Sequence, residues 1–283
     1  MAHVMIAGAT GYLGRYLVKA FLARGYHVSA LVRPASKADF PDGVRVIYGE
    51  ATKPETLYGV FDGVELVVSS LGLTRQTDKL SYDDVDYQAN LNLLRAAEVA
   101  NVQKFAYVHV LTRTDARSEL VQAKSRFVTA LQASSIASLV VRPGGYFVDI
   151  AEVFNMARSG RVWMVGDGAL KINPIHGADL AKAIADAVEA GEVDIEVGGP
   201  EILSMDDVAK LAFATLRTTP KITYIPAWIL RVVLRVVKPF APRHIWGPFE
   251  LFLAAASSDM VAPPHGQRRL ADFFAELAAQ PSA

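Results

Sequence analysis

Seven residues near the start of the chain, Gly8-Ala9-Thr10-Gly11-Tyr12-Leu13-Gly14, lie between an apolar run at 3–6 and a helical pattern. In a strand-to-helix turn such glycines permit a tight reversal, close approach of backbone to a pyrophosphate, and close packing of helix on strand. The helix that follows offers unpaired N–H groups and the positive end of its dipole to phosphates. The spacing is GxxGxxG rather than GxGxxG, so an ordinary strand–helix turn is the alternative, and the surrounding elements must decide. The next apolar run, 27–32, ends at Arg33, about 20 residues beyond the turn, where the ribose-recognising group of a dinucleotide-binding unit stands. An acidic residue there would accept a hydrogen bond from a free 2′-hydroxyl. This chain offers Arg33, then Ser36 and Lys37, groups that suit a 2′-phosphate and favour NADP(H) over NAD(H). Arg33 also fits a solvated surface arginine. Glu50 fits either an adenine contact or an exposed carboxylate. Ser69, Leu71 and Gly72 close a fourth apolar run, at the carboxyl edge where open α/β sheets hold ligands.

The elements that must position these groups alternate. Runs at 3–6, 27–32, 44–48, 65–69, 105–110 and 138–141 have strand length and composition. Helical stretches at 12–24, 54–60, 82–100 and 116–133 separate them. Apolar strands alternating with helices predict a doubly wound parallel sheet covered on both faces, the Rossmann class of α/β fold. After Arg142 the pattern loosens: a helix at 179–189, a short strand at 193–197, and a helix capped by Ser204 with Asp206 and Asp207 in its first turn. Six prolines from Pro226 to Pro264 keep later helices short. The expected organisation is a cofactor-binding domain at 1–150 and a smaller, mainly helical C-terminal lobe at 151–283, part of which returns to the main sheet.

Composition narrows the functions. With 283 residues, 52% of them hydrophobic, the chain has ample material for a core. Twenty-nine basic side chains balance 29 acidic ones, so no global field attracts nucleic acid. The absence of cysteine removes disulfides, thiolate metal sites and cysteine nucleophiles, and fits a reducing, cytoplasmic location. The histidines lack metal-ligand spacing, so no metal is expected. The first residues lack the charged start and cleavage site of a signal peptide and read as the first strand. No apolar run reaches the roughly 18 residues of a membrane span.

The glycine turn, Leu31-Val32-Arg33, the 86–97 helix with Asn90, Lys104-Phe105-Ala106-Tyr107-Val108 and Arg142-Pro143-Gly144-Gly145-Tyr146-Phe147 together resemble the atypical short-chain dehydrogenase/reductases, in particular their NmrA-like, NAD(P)-binding branch. Ile175-His176-Gly177-Ala178-Asp179-Leu180-Ala181 and Gly198-Gly199-Pro200-Glu201 extend the resemblance over about two hundred residues. The reductases' usual chemistry implies a Tyr-x-x-x-Lys pair on one helix face, with a Ser or Thr at the preceding strand end. Here Leu120 stands four positions before Lys124, and His109 stands where the family often has Ser. The resemblance implies that Lys124 binds the ribose hydroxyls and assists proton delivery; His109 is a candidate proton donor because an imidazole can donate near neutral pH. Tyr146, after the sixth strand, is a candidate for the substrate pocket. Lys124 as a structural clamp or solvated lysine, and His109 as a satisfied buried histidine, stay open beside these roles.

In the C-terminal lobe, residues 226–240 are apolar except for Arg231, Arg235 and Lys238, which recur at helical spacing as a narrow basic stripe. Such a helix is expected to pack in the lobe or at a homodimer interface; a lid or a membrane-surface contact by 227–238 is the alternative. Phe240, Trp246, Phe249 and Phe252 fit a pocket wall or lobe core. The leading expectation is an NADPH-dependent reductase of a small apolar or aromatic carbonyl or activated alkene. A non-catalytic NADP(H)-binding redox sensor or scaffold is the second reading, and nucleotide-sugar epimerase or dehydratase chemistry the third.

Overall fold

The computed structural model describes residues 2–73, 80–113, 118–229, 232–233 and 258–280. Its elements are β1 (His3–Ala7), α1 (Tyr12–Ala23), β2 (His27–Val32), β3 (Val44–Tyr48), β4 (Leu66–Ser69), α2 (Asn90–Val99), β5 (Lys104–Val108), α3 (Glu119–Ala133) and β6 (Ala137–Pro143). Then come α4 (Phe147–Arg158), β7 (Val162–Val165), β8 (Lys171–Ile172), α5 (Gly177–Glu189), β9 (Asp194–Val197), β10 (Leu203–Ser204), α6 (Met205–Thr215), β11 (Ile222–Ile225) and α7 (Leu270–Ala279).

Seven strands form one sheet in the order β3-β2-β1-β4-β5-β6-β9. β1 lies parallel to both β2 and β4, with Ala7 opposite Leu31 on one side and Ser69 on the other. The strand order reverses across β1 and β4, and the crevice beyond their carboxyl ends is where such sheets hold ligands. Val4, Met5, Ile6, Val67 and Val68 are fully buried, which is why these strands read as unbroken apolar runs: both faces are covered by helices. The fold is the expected Rossmann-type α/β architecture with a helix-rich C-terminal part.

By contact density the chain divides into two units, neither one continuous stretch. The first comprises Met1–Val110, Glu119–Arg142 and Leu180–Ile195; the second comprises Leu111–Ser118, Pro143–Asp179 and Glu196–Ala283. The core of the first joins Met5, Leu31, Val67, Leu93, Phe105, Tyr107 and Phe127. That of the second joins Phe147, Phe154, Val162, Val208, Phe213 and Phe274, from α4, β7, α6 and α7.

Several local expectations change. β5 stops at Val108, leaving His109 just past the strand. The 54–60 stretch contains only one short helical turn, Pro54–Leu57. The 82–100 stretch is two elements: a wide π-type turn over Asp83–Ala89, then α2. In the second unit the parallel pair β7–β11 and the helix α7 were not foreseen. Ser204 caps α6 as expected, in a reciprocal box with Asp207.

Residues 258–270 are stapled to the second unit by two buried side chains. Asn173 Nδ2 donates to the carbonyls of Ala262 (2.8 Å) and Gly199 (3.2 Å), while its Oδ1 accepts from Ala262 N (3.0 Å). Asp179 Oδ2 accepts from the amides of Gln267 (3.0 Å) and Arg268 (2.9 Å), and its Oδ1 pairs with the Arg268 guanidinium. Of the expected apolar helix at 226–240, Trp228, Ile229, Val232 and Val233 stand exposed rather than buried. Its remainder from Leu234 and the aromatic group Phe240, Trp246, Phe249 and Phe252 lie outside the described residues. Among the described residues no helix is long and apolar enough to cross a membrane.

Candidate cofactor site

The glycine turn follows β1 directly. Gly8 has φ +80°, in the left-handed region, and a Cβ there would come within 2.9 Å of Ser70 Oγ. Gly14 is tighter: a Cβ would lie 2.0 Å from the Gly8 carbonyl oxygen. That absent methyl lets α1 sit directly on the turn. Gly11 N–H closes the turn onto Gly8 O at 3.0 Å, and Arg15 Nε braces it through Thr10 O at 3.2 Å. Gly11 is the N-cap of α1, and no side chain caps the helix. The first turn carries no acidic side chain, so the positive end of the helix dipole there favours an anion. Ala9 and Leu13 point into the core, so toward a ligand they offer only backbone, whereas Thr10 and Tyr12 are half-buried.

At the other end of the crevice, Arg33 and Lys37 are exposed just past β2. Glu50 follows β3, joined to β2 by Gly49 N donating to Val32 O at 3.0 Å. Its carboxylate is engaged by Lys53 Nζ (2.8 Å) and Thr52 Oγ1 (3.1 Å). The Lys53 hydrogen bond, with smaller help from Thr52 and Arg33, holds Glu50 below the usual carboxylate range. Glu50 is thus a member of a charged group beside Arg33 instead of a lone acceptor.

Beyond β4 the structure gathers residues that the sequence placed separately. Ser69 is fully buried and its hydroxyl is engaged: Oγ donates to Asn90 Oδ1 at 2.6 Å and accepts from Leu71 N at 3.3 Å. Leu71 packs against the first core. Gly72 lies against Lys124 and Asp86. Lys124, on the inner face of α3, is 6% exposed and places Nζ 3.1 Å from Asp86 Oδ1, 3.3 Å from Tyr107 OH and 3.2 Å from Val108 O. Asp86 is completely buried; loss of solvent holds its carboxyl above the usual range, against the opposing pull of the Lys124 ammonium and the Leu73 amide. Burial likewise raises the Tyr107 phenol.

His109 is buried too. Its Nδ1 lies 2.8 Å from Val110 O, and its Nε2 3.3 Å from Ser125 Oγ. A carbonyl only accepts, so Nδ1 carries the hydrogen and Nε2 accepts from the serine hydroxyl. Burial, reinforced by the nearby Lys124 and Arg142 charges, pushes the imidazole down to about 4, so it is neutral at pH 7. Tyr146 belongs to the second unit, as the N-cap of α4.

The NAD(P)H-binding family model matches residues 8–191, beginning at the first glycine of the turn. The chain belongs to this NAD(P)H-binding family. It resembles the divinyl chlorophyllide a 8-vinyl-reductase of Arabidopsis thaliana, a chloroplastic protein. The two are 28% identical over 97% of this chain and 76% of that protein. Photosystem II assembly factor Ycf39 of Guillardia theta is 30% identical over 63% of this chain and 58% of its own length. Among solved structures, the NADPH-dependent quinone oxidoreductase QOR2 of Escherichia coli, complexed with NADPH, has a TM-score of 0.78 at 19% identity, covering 97% of this chain and 99% of that one. UDP-glucose 4-epimerase of Thermus thermophilus, complexed with NAD, has a TM-score of 0.65 at 18% identity, covering 79% of this chain and 86% of that one. These two likenesses show the shared fold.

For a member of this family, the cradle at Gly8 and Gly14 and the uncapped start of α1 fit the cofactor's pyrophosphate. Asp86 and Tyr107 are the residues that sequence reasoning passed over. Both stand in segments that carry the family resemblance, the 86–97 helix and the 104–108 strand, but neither has a role there from its residue type or spacing.

Proposed function

We propose that this chain is an NADPH-dependent reductase of a small apolar or aromatic molecule carrying an activated carbon–carbon double bond, within the NmrA-like branch of its family. The observation that carries the reading is the buried Lys124 ammonium held against Gly72 at the carboxyl end of β4. Held by Asp86 in a water-poor place, its N–H groups can donate hydrogen bonds to negative charge as it develops on a substrate. Leu120 removes the phenol one turn before Lys124, and neutral His109 gives its hydrogen to Val110 O. That combination suits an activated alkene better than a carbonyl: hydride addition to one carbon leaves a delocalised carbanion, which takes a proton from Lys124 or water on its other carbon. When bound, the nicotinamide supplies the hydride. The amides of the Gly8–Gly14 turn hold the pyrophosphate, Arg33 and Lys37 the 2′-phosphate, and Lys124 the ribose hydroxyls. The vinyl-reductase relatives support the substrate class, and the NADPH-bound quinone oxidoreductase shares the fold.

The test is NADPH oxidation with a panel of vinyl-substituted aromatics, conjugated enones and quinones. Turnover is expected with the alkenes, and Lys124→Ala should lower it by about a hundredfold. A wild-type rate in that variant, or no oxidation with any member, would refute the reading. The neutral histidine and Leu120 also favour a second reading, an NADP(H)-binding scaffold without turnover. In that case NADPH changes affinity for a partner protein while every substrate fails.

A further inference from the structure

We propose that Asp86 positions Lys124 and balances its charge, so that the carboxyl end of β4 presents a neutral ion pair to the nicotinamide end of the dinucleotide instead of a lone cation. This rests on the assignment of Lys124 to the cofactor, and not on any substrate being reduced.

Three observations converge on Asp86. Its Oδ2 accepts the Leu73 amide at 3.1 Å, while Oδ1 receives no aligned hydrogen bond among the described residues and faces the ammonium at 3.1 Å. Tyr107 locks the pair from behind: its hydroxyl accepts from Lys124 Nζ and donates to the Asp86 main-chain carbonyl, both at 3.3 Å. Gly72 lies on the other side, where a Cβ would come 2.8 Å from Asp86 Oδ1 and 3.3 Å from Lys124 Nζ. The pair is thus pressed against the β4 end of the crevice, with only backbone at the point of contact.

The π-type turn over Asp83–Ala89 accounts for the orientation. Its wider register turns Asp86 inward and leaves Asp83 and Asp84 exposed. An uncharged amide at 86 could satisfy the Leu73 N–H without burying a charge, and burying a carboxylate carries a large desolvation penalty. The retained charge acts on Lys124, the cation facing it. The other titratable groups near that ammonium are Tyr107, a neutral phenol, and His109, a neutral imidazole. The oxidised nicotinamide ring carries a positive charge and the reduced ring none. A lone ammonium would therefore penalise the oxidised form, and Asp86 removes that penalty.

Dissociation constants for NADP+ and NADPH, measured on the full chain by calorimetric titration, test this without turnover. In Asp86→Asn, which keeps an acceptor for the Leu73 amide, the ratio of the NADP+ to the NADPH constant should rise on the order of fivefold. In Lys124→Met the ratio should fall below that of the wild type, and the double variant should return to within about twofold of it. Asp86→Ser is the second variant should Asp86→Asn fold poorly, and the same rise is expected. An unchanged ratio in the Asp86 variants, equal weakening of both cofactor forms, or the same rise with Lys124 absent would overturn the proposal. Failure of the reductase reading would appear differently, as an inert substrate panel with this pattern of binding ratios intact.

Discussion

Replacing Gly14 by alanine adds one methyl group at the most crowded point of the turn. Its carbon would sit 2.0 Å from the Gly8 carbonyl oxygen, 2.7 Å from Ala9 Cα and 2.8 Å from the Ala9 carbonyl carbon. All three partners are backbone atoms, so no side chain can swing aside. Relief requires α1 to move off the turn by roughly 1 Å, and Leu17, Val18 and Phe21 of that helix are fully buried. Overpacking of this kind should lower stability by about 3 kcal/mol and NADPH affinity by at least about tenfold. Gly11 is the control within the same motif. Its φ is −73°, ordinary for any residue, and its Cβ would meet only Gly8 O, at 3.2 Å. Gly11→Ala should therefore change stability by no more than about 0.5 kcal/mol. Urea unfolding measures the first quantity and NADPH fluorescence titration the second. A stable Gly14→Ala, or a Gly11→Ala equally damaged in urea, would show that steric fit is not what the third glycine serves.

Burial lowers the His109 pKa to about 4 from the ordinary histidine value of 6.5, so its share of stability is complete above pH 6.5 and is lost as pH falls from there toward 4. Between pH 7 and pH 5 the wild type should lose about 2 kcal/mol more than His109→Gln, as read from unfolding midpoints at the two pH values; parallel losses would contradict a buried neutral imidazole. Asn173→Ala strands the Gly199 and Ala262 carbonyls and the Ala262 amide, and should cost about 3 kcal/mol in thermal or urea unfolding. A loss below about 1 kcal/mol would mean that water replaces the amide at little cost. Arg33→Ala should weaken NADPH binding about tenfold and leave NADH nearly unchanged in parallel titrations. Equal effects on the two cofactors would remove the 2′-phosphate role.

Strands β1, β2, β4 and β5 were legible because they are buried on both faces and announce themselves as unbroken apolar runs bounded by turns, whereas β3, half-buried at the edge of the sheet, was legible from its Val and Ile content. β7 and β11 were not, because Val162–Val165 and Ile222–Ile225 support each other across about sixty residues and neither has a local partner. The cofactor turn was readable since its glycines answer local sterics. Lys124 is a candidate in the sequence only through resemblance, and its surroundings are not legible there at all. The Asp86 carboxylate turns inward only through a π-type turn that leaves no mark in a window of seven residues, and Tyr107 meets Lys124 from a strand seventeen positions away. His109 reads in sequence as a titrating donor; only its burial and the Val110 carbonyl reveal a neutral ring.

β9 closes one side of the main sheet by pairing with β6, although the two are separated by α4, two short strands and α5. Until residues 194–197 have left the ribosome, β6 presents the bare rim of Leu139, Val140 and Val141 to whatever is nearby. A recombinant fragment ending near residue 150 would keep that rim permanently uncovered and should be recovered as inclusion bodies, even with the whole glycine turn in place. Expression trials on shorter versions should therefore place the cut beyond Val197, or provide the missing strand as a separate peptide.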